Sequence, residues 1–454
     1  MSIVRRFQQT PDSEQKGRVA LNANIRRLRG AEKPLYRKST LPNGVRVITE
    51  TMPAVRSATL GIWADVGSAS ERSEQRGISH LIEHMLFKGT KRRSAQAIAE
   101  TMDGVGANLN AFTDKETTCY YAKVMDHHVP LAIDVLSDMF LNSVFDPREM
   151  AKEQNVVLEE IKMYDDSPDE QIHDLFIRTM WSGSDLGEPT IGYADTVSAL
   201  KREDLRAHMR GHYAPNAVVV AAAGNLVHDR VVELFADAFA SYTGYCEVPE
   251  PDHPHLTAAT NFKQKDTEQA YVVLGTRGLS LRDERRYALS VLDTILGGGM
   301  SSRLFQEVRE KRGLVYSVYS FQQSYREAGL FAVSAGTSPA NVRECVEVIT
   351  QQLQKAAERG VSEAELSLAK EHIKGNLTLS LESTSSRMIR LGRGEFTHGY
   401  YLSTEEIEGK IDAVTCEQVL SLAHELLAPA NLGLCVLGPV DEGAIGWQRG
   451  EAVA

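Results

Sequence analysis

The stretch CEVPEPDHPHL, residues 246 to 256, has three prolines within six residues and divides the chain in two. Proline fixes its own φ angle and disfavours helix at the preceding residue, so a cluster of this kind is typical of a linker. Patterns that predict strands and helices lie on both sides of it. We therefore start from the hypothesis of two halves joined by a linker over 246–260.

The patterns on the two sides of the linker follow a similar order. VRVITET (45–51), ATLGIWADV (58–66) and VVVAAAGNL (218–226) predict strands in the first half, with a helix-rich stretch to about residue 180 between them. In the second half AYVVLGTRG (270–278) predicts a strand and YALSVLDTILGGG (287–299) a helix, and FAVSAGTS (331–338) precedes a helix over 340–357. At an offset of about 210 residues, HLIEH (80–84) falls on SVLDT (290–294), which lacks both histidines. We predict two related α+β halves.

The expected boundaries follow from the linker and from the N-terminus. We expect a flexible extension over 1–38, a first α+β domain over 39–245, the linker over 246–260 and a second α+β domain over 261–454. The first thirty residues are arginine-rich but lack the apolar core of a secretory signal. A targeting segment is the alternative interpretation of this extension.

Composition excludes several classes of function. The 454 residues carry a formal net charge of -11, which argues against a general nucleic-acid binder and is compatible with attraction of cationic peptides. The five cysteines form no CxxC pair, which favours a reducing compartment. No apolar run approaches the length of a membrane span.

A helix with two histidines is predicted within SHLIEHMLFKGT (79–90). Its apolar residues follow helical spacing and form one stripe: Ile78, Leu81, Ile82, Met85 and Leu86. His80 and His84 lie one turn apart on the other side, the spacing by which one helix offers two nitrogen ligands to a metal. Glu83 lies beside them and could accept a proton from a metal-bound water. HxxEH is a known catalytic signature, but five residues also match by chance, and a polar face with two solvated histidines is the alternative.

A third ligand is expected from FDPREMAKEQNVVLEEIKMYDDSPDE (145–170). Catalytic zinc commonly binds two histidines and one carboxylate and keeps an open position. On this helix Glu153 and Glu160 share a partly apolar face, where a metal or a ligating histidine would offset the cost of burying them. The alternative is a solvated acidic helix that includes Glu153, Glu159 and Glu160.

With these motifs, GISHLIEHMLFKGT (77–90) and EQNVVLEEI (153–161) resemble the M16 (pitrilysin-type, inverzincin) metallopeptidases over most of residues 38–440. The likeness is greatest to the β subunit of mitochondrial processing peptidase and to bacterial single-chain zinc peptidases. The resemblance implies two similar domains, each an antiparallel β-sheet packed with α-helices. It also implies one Zn²⁺ per chain on His80, His84 and Glu160, with Glu83 as general base and Glu153 supporting the ligands.

Two further segments resemble substrate-binding parts of that family. GANLNAFTDKETTCYYAKV (106–124) resembles its edge strand, which implies that the backbone at Asn110, Ala111 and Phe112 pairs with an extended peptide. SSRLFQEVREKRGLVYSV (301–318) resembles a motif of the second domain. By that resemblance Arg309 and Tyr316 reach the zinc site and contact the substrate carbonyl.

The resemblance implies a zinc endopeptidase that cleaves peptides or presequence-like segments in an enclosed chamber. A homodimer is expected, with a heterodimer containing an inactive homologue as the alternative. Two other hypotheses stay open: a catalytic subunit that needs such a partner, and a non-enzymatic peptide-binding or scaffold protein of the same fold. We expect a bacterial cytoplasmic location, with the mitochondrial matrix as the alternative.

Overall fold

A computed structural model of the chain describes residues 35–247, 254 and 256–447. The first half forms a six-stranded sheet in the order β1-β2-β6-β3-β5-β4. All neighbouring strands are antiparallel except β2 and β6, which are parallel. The strands are β1 (Leu35–Thr40), β2 (Arg46–Thr51), β3 (Ser57–Ala64), β4 (Asn108–Thr113), β5 (Thr118–Met125) and β6 (Val218–Gly224).

Eight α-helices are described in the first half. Two long ones, α3 and α4, follow the β4–β5 hairpin. The helices are α1 (Ile78–Leu86), α2 (Ala95–Asp103), α3 (Val129–Asn142), α4 (Pro147–Asp166), α5 (Pro168–Met180), α6 (Ala194–Ala199), α7 (Arg202–His212) and α8 (His228–Ala238).

The second half forms a five-stranded sheet in the order β7-β11-β8-β10-β9. Here β7 and β11 are parallel and the other neighbours antiparallel. The strands are β7 (Thr260–Gln264), β8 (Ala270–Arg277), β9 (Val315–Ser324), β10 (Gly329–Thr337) and β11 (Gly433–Gly438). The helices are α9 (Arg286–Gly297), α10 (Val342–Arg359), α11 (Glu363–Ser380), α12 (Thr384–His398), α13 (Thr404–Asp412), α14 (Cys416–Leu426) and α15 (Glu442–Ile445).

The two sheets share one topology, which confirms the prediction of two related α+β halves. Without β1, the order β2-β6-β3-β5-β4 of the first sheet corresponds strand by strand to β7-β11-β8-β10-β9, and the parallel pair occupies the same place. In each half the helix that precedes the outer hairpin, α1 or α9, follows the central strand β3 or β8. Each sheet is therefore antiparallel apart from one pair near its edge.

The central strands are buried because both faces of each sheet are covered. Every residue of β6 is buried, and the apolar side of α1 packs with Leu60 and Ile62 of β3 in one core. A strand covered on both faces has a continuous rather than an alternating apolar sequence, as VVVAAAG shows. This packing fixes α1 on one face of the first sheet.

The opposite face of each sheet is covered by a helix from the other half. Met388 and Leu391 of α12 pack against Trp63 on the first sheet. In return Phe176 and Met180 of α5 pack with residues of the second sheet. No pattern in the sequence predicts this exchange. The exchange makes the two halves interdependent although they are separate segments of the chain.

Only some of the predicted domain boundaries fall on residues that the structure describes. Strand β1 begins at residue 35, inside the predicted extension, whereas 1–34 lie outside the described residues, as do 248–253 and 255 of the predicted linker. The division into 39–245 and 261–454 stays a prediction about chain segments. No helix among the described residues has the length and apolar character to cross a bilayer.

Candidate metal centre

Helix α1 is fixed at its start by a carboxylate and along its length by the core. Glu71 accepts hydrogen bonds from the backbone N–H groups of Gly77 (2.7 Å) and Ser79 (2.8 Å), which would otherwise lack partners at the helix N-terminus. The predicted apolar stripe, five residues from Ile78 to Leu86, is fully buried. His80 and His84 consequently project together from the opposite side.

Helix α4 supplies the acidic side chains across from α1. It begins at Pro147 after Asp146, whose carboxylate accepts from the N–H groups of Arg148 (2.8 Å) and Glu149 (3.3 Å). Of the three candidate glutamates, Glu153 and Glu160 face the histidines, whereas Glu159 is exposed and pairs with Lys162.

Three ligand atoms converge between the two helices. The Nε2 atom of His80 lies 3.8 Å from Oε2 of Glu160, and that of His84 lies 3.7 Å from the same oxygen. Ligand atoms about 2.0 to 2.1 Å from one tetrahedral zinc ion lie roughly 3.4 Å apart. The three side chains form a group that could hold a metal ion, with ligand atoms all within 4.8 Å of one another.

The surrounding groups keep the imidazoles suited to metal binding. Nδ1 of His84 lies 3.2 Å from Oε2 of Glu153; a carboxylate oxygen accepts a hydrogen bond, so the proton belongs on Nδ1 and the lone pair of Nε2 points into the cluster. The other oxygen of Glu153 pairs with Lys88 at 2.7 Å. Burial, and then the nearby His84, lower the pKa of His80 to about 4, which keeps this imidazole neutral.

The geometry of the donor set fits zinc. Two neutral imidazole nitrogens and one carboxylate oxygen are the ligands of many catalytic zinc sites, which keep the fourth position open. Nδ1 of His80 is buried without a hydrogen-bond partner among the described residues, so an Nε2–metal bond would leave its N–H unpaired. His84 is therefore the ligand whose orientation is better defined.

Glu83 lies beside this cluster and is oriented by an unforeseen partner. Its Oε2 accepts a hydrogen bond of 2.7 Å from the hydroxyl of Thr113, the last residue of β4. Burial raises the pKa of Glu83, while the hydrogen bond from Thr113 acts in the opposite direction. No spacing in the sequence reveals Thr113, because it lies 30 residues from Glu83. Lys88 was visible in principle, since it follows His84 by one helical turn.

Comparison with known proteins decides the family. Residues 46–193 match the family model described as insulinase (peptidase family M16), and residues 199–373 match that of the peptidase M16 inactive domain. An uncharacterized zinc protease of Streptomyces coelicolor is 44% identical over 415 residues, which cover 89% of this chain and 90% of the relative. The chain belongs to peptidase family M16. The uncharacterized zinc protease YmxG of Bacillus subtilis is 42% identical over 405 residues, 89% of this chain and 98% of the relative.

Solved structures agree with the M16 fold. A peptidase M16 inactive domain from Pseudomonas fluorescens superposes with a TM-score of 0.84 at 21% identity, covering 89% of this chain and 98% of the other. A protease from Helicobacter pylori gives a TM-score of 0.82 at 23% identity, covering 90% of this chain and all of the other. The group formed by His80, His84 and Glu160 lies within residues 46–193, which match the insulinase model.

In this M16 chain, the expected substrate strand is β4, at an edge of the first sheet. Asn110, Ala111 and Phe112 pair with Tyr121, Tyr120 and Cys119 of β5 on one side. In the part of the chain that the structure describes, no strand pairs with β4 on its other side. The strand is thus free to accept another strand, and its role in binding peptides stays a prediction.

Arg309 and Tyr316 of the M16 chain lie together in the second half. The Arg309 guanidinium is 4.7 Å from the ring centre of Phe305 and 5.2 Å from that of Tyr316, which is 79% exposed. Within residues 35–247 and 256–447 no hydrogen bond or ion pair joins either residue to His80, His84 or Glu160. The structure therefore brings the pair together without joining it to the metal cluster, and its role in catalysis stays a prediction.

Proposed function

We propose that this chain is a zinc-dependent endopeptidase that holds one zinc ion on His80, His84 and Glu160. The observation that carries most weight is the approach of two imidazole nitrogens and one carboxylate oxygen within 4.8 Å, beside an oriented glutamate. Membership of family M16 and the zinc-protease names of its bacterial relatives support the same chemistry.

The residues around the cluster have distinct tasks in this proposal. When bound, zinc supplies a Lewis acid that polarises the scissile carbonyl and lowers the pKa of water to about 7. Glu83 accepts the proton of the attacking water and passes it to the leaving amine. Thr113 donates to Oε2 of Glu83 and so leaves the other oxygen available for that proton. Because burial raises the pKa of Glu83, this carboxylate is a stronger base than an exposed one.

Extended peptides are the proposed substrates. A peptide can add to the free edge of β4 through main-chain hydrogen bonds, which accept many sequences. A cavity of about 880 Å³ between the two halves reaches Thr113 and Tyr164, one turn beyond Glu160, and is bordered by Gln322 of β9. Arg309 and Tyr316 would contact the substrate carbonyl, and the net charge of -11 favours cationic peptides.

The assembly and location belong to the same proposal. We take the working form to be a homodimer whose two copies enclose a chamber, acting in the bacterial cytoplasm. The bacterial origin of the relatives supports this location. So do the five cysteines, all of which are free thiols and thus fit a reducing compartment.

The test compares turnover with zinc content in matched variants. Purified protein is incubated with mixed basic and neutral peptides, and products are followed by mass. Glu83→Gln is expected to keep its zinc and to lose about 10²- to 10⁴-fold in turnover, because only the proton transfer is removed. His84→Ala is expected to lose both zinc and turnover, whereas Glu159→Gln, on the exposed face of α4, keeps both.

Each other result has a defined meaning. If Glu83→Gln cleaves as fast as wild type, Glu83 is not the general base and the proposed mechanism is wrong. If wild-type protein holds zinc but cleaves no peptide, the chain either needs a partner or is not an enzyme. A homologous partner that restores cleavage would then identify a catalytic subunit, and binding without cleavage would identify a peptide-binding protein.

A further inference from the structure

A turn of the second half packs against the turn that follows Thr113, the hydrogen-bond partner of Glu83. The β4–β5 turn, residues 114–117, begins directly after Thr113, whose hydroxyl donates to Glu83. The β9–β10 turn, residues 325–328, carries Arg326. These corresponding hairpins of the two halves meet tip to tip, close to the proposed site.

The side chain of Glu116 joins the two turns. The backbone N–H of Arg326 donates to both carboxylate oxygens of Glu116, at 3.1 and 3.2 Å. The Arg326 guanidinium pairs with Asp65, just after β3, so it binds the first half a second time. Arg326 is only 8% exposed, and buried contacts of this kind are screened little by salt or water.

Hydrogen bonds within the β4–β5 turn connect its residues, so a displacement of Glu116 would also displace Thr113. The Asp114 carboxylate accepts from the N–H groups of Glu116 (2.9 Å) and Thr117 (2.6 Å). The Asp114 N–H in turn donates to the carbonyl of Thr117 at 2.9 Å. A second arginine from the other half, Arg393 of α12, lies 3.5 Å from Asp114. The turn therefore behaves as one short rigid unit held from the second half.

We propose that Glu116 is a positioning residue for peptide cleavage: anchored by Arg326, it fixes the β4–β5 turn and thereby holds Thr113 against Glu83. This inference rests on the proposed function, because it requires Glu83 to be the general base. It assigns the half without metal ligands a part in the reaction of the other half. A displacement of about 1 Å in such a support can cost on the order of 100-fold in rate.

The first experiment replaces Glu116 and measures kcat, KM and zinc content in the full-length protein. Glu116→Ala is expected to lower kcat by about 10- to 100-fold at unchanged zinc content. Glu116→Gln keeps an oxygen that accepts from the Arg326 N–H and is expected to restore most of the rate. The control is Glu50→Ala on β2, far from β4 in the sheet, where a more deeply buried carboxylate, 1% exposed, pairs with Arg387 of the second half. A loss of kcat in the control as large as in Glu116→Ala would assign the effect to general destabilisation and overturn the inference.

A double mutant tests whether Glu116 acts through Thr113. Thr113→Val removes the hydroxyl that donates to Glu83 and is expected to lower kcat by itself. If both residues serve one contact, kcat of Glu116→Ala/Thr113→Val is no lower than that of the worse single variant. Losses that multiply would show that Glu116 acts by another route, contrary to the inference.

Hydrogen exchange separates a failure of this inference from a failure of the proposed function. Glu116→Ala is expected to speed amide exchange across 113–117 by at least about tenfold, and Glu50→Ala is expected to leave it unchanged. Unchanged exchange in Glu116→Ala overturns the positioning role whatever the enzyme cleaves. If the wild-type chain cleaves nothing with any partner while exchange changes as expected, the proposed function is wrong. Glu116 then has no positioning role in cleavage and only anchors the turn.

Discussion

Glu153 is expected to set the affinity of the cluster for zinc although it is not a ligand. It lies 3.2 Å from Nδ1 of His84 and is 6% exposed, so it fixes the tautomer and the ring orientation of that ligand. Losing such a support typically weakens metal binding by about 10- to 100-fold, or roughly 1.4 to 2.7 kcal/mol. Glu153 contacts only one of the two histidines and also pairs with Lys88. We therefore expect Glu153→Gln to weaken zinc binding by about tenfold. Glu153→Ala, which also leaves Lys88 without its acceptor, belongs near 100-fold.

A chelator competition measures this effect without any peptide substrate. Metal-free wild-type protein, Glu153→Gln and Glu153→Ala are titrated with zinc in the presence of a chromophoric chelator of known affinity. Glu159→Gln serves as the control, because Glu159 lies on the exposed side of the same helix and pairs with Lys162. If Glu153→Ala binds zinc within about threefold of wild type, the carboxylate does not orient His84 and our account of the donor set is wrong.

Three further predictions concern stability and are checked by urea unfolding. Phe176→Ala on the exchanged helix α5 should lower the free energy of unfolding by about 3 to 5 kcal/mol, since the ring is fully buried; a cost below about 1 kcal/mol would contradict the exchange. Gly392→Ala should lower the free energy of unfolding by about 1 to 3 kcal/mol, because its Cβ would lie 2.3 Å from the ring of Trp63. Gly394→Ala, with open space around its Cβ, should leave that free energy unchanged or raise it. Burial raises the pKa of Glu71 from 4.5 to about 7, so the folded state retains this proton where the unfolded chain has lost it. The stability contributed by this proton is complete below pH 4.5 and is lost as the pH rises through about 7, a change on the order of 3 kcal/mol that Glu71→Gln should abolish.

Helix α1 was predictable because the evidence for it is local. Helical spacing alone separates the apolar stripe of α1 from His80 and His84, and the structure buries that stripe as expected. The proposed third ligand, Glu160, was harder to predict, because periodicity shows which residues share a helix face and not what lies across from that face. The residues alone were also compatible with a solvated acidic helix that includes Glu160. The family resemblance implied that Glu160 is a ligand, and the structure places it beside both histidines.

The helix exchange could not be predicted from amphipathic patterns. The sequence PDEQIHDLFIRTM of α5 has the same apolar face whichever sheet it covers. Nothing in that sequence shows which sheet Phe176 packs against. The linker favoured the hypothesis of two self-contained halves, yet each sheet is covered on one face by a helix from the other half. Thr113 and Glu116 could not be singled out from the sequence for a related reason. Their contacts are with distant segments, whereas the sequence around them is that of an ordinary hairpin.

The duplicated fold separates the structural use of a helix carboxylate from the catalytic use that we propose for Glu83. On α9, Asp293 takes the position that corresponds to Glu83, and it accepts a hydrogen bond of 2.9 Å from Gln322 and another from Ser320, both on the edge strand β9. Glu83 accepts in the same way from Thr113 on the corresponding edge strand β4. The second half thus keeps the tie between helix and edge strand without either histidine. A carboxylate that anchors an edge strand is therefore part of the shared architecture. The first half adds the two histidines and Glu160, and we infer that this addition turns an anchoring glutamate into a base that is already oriented.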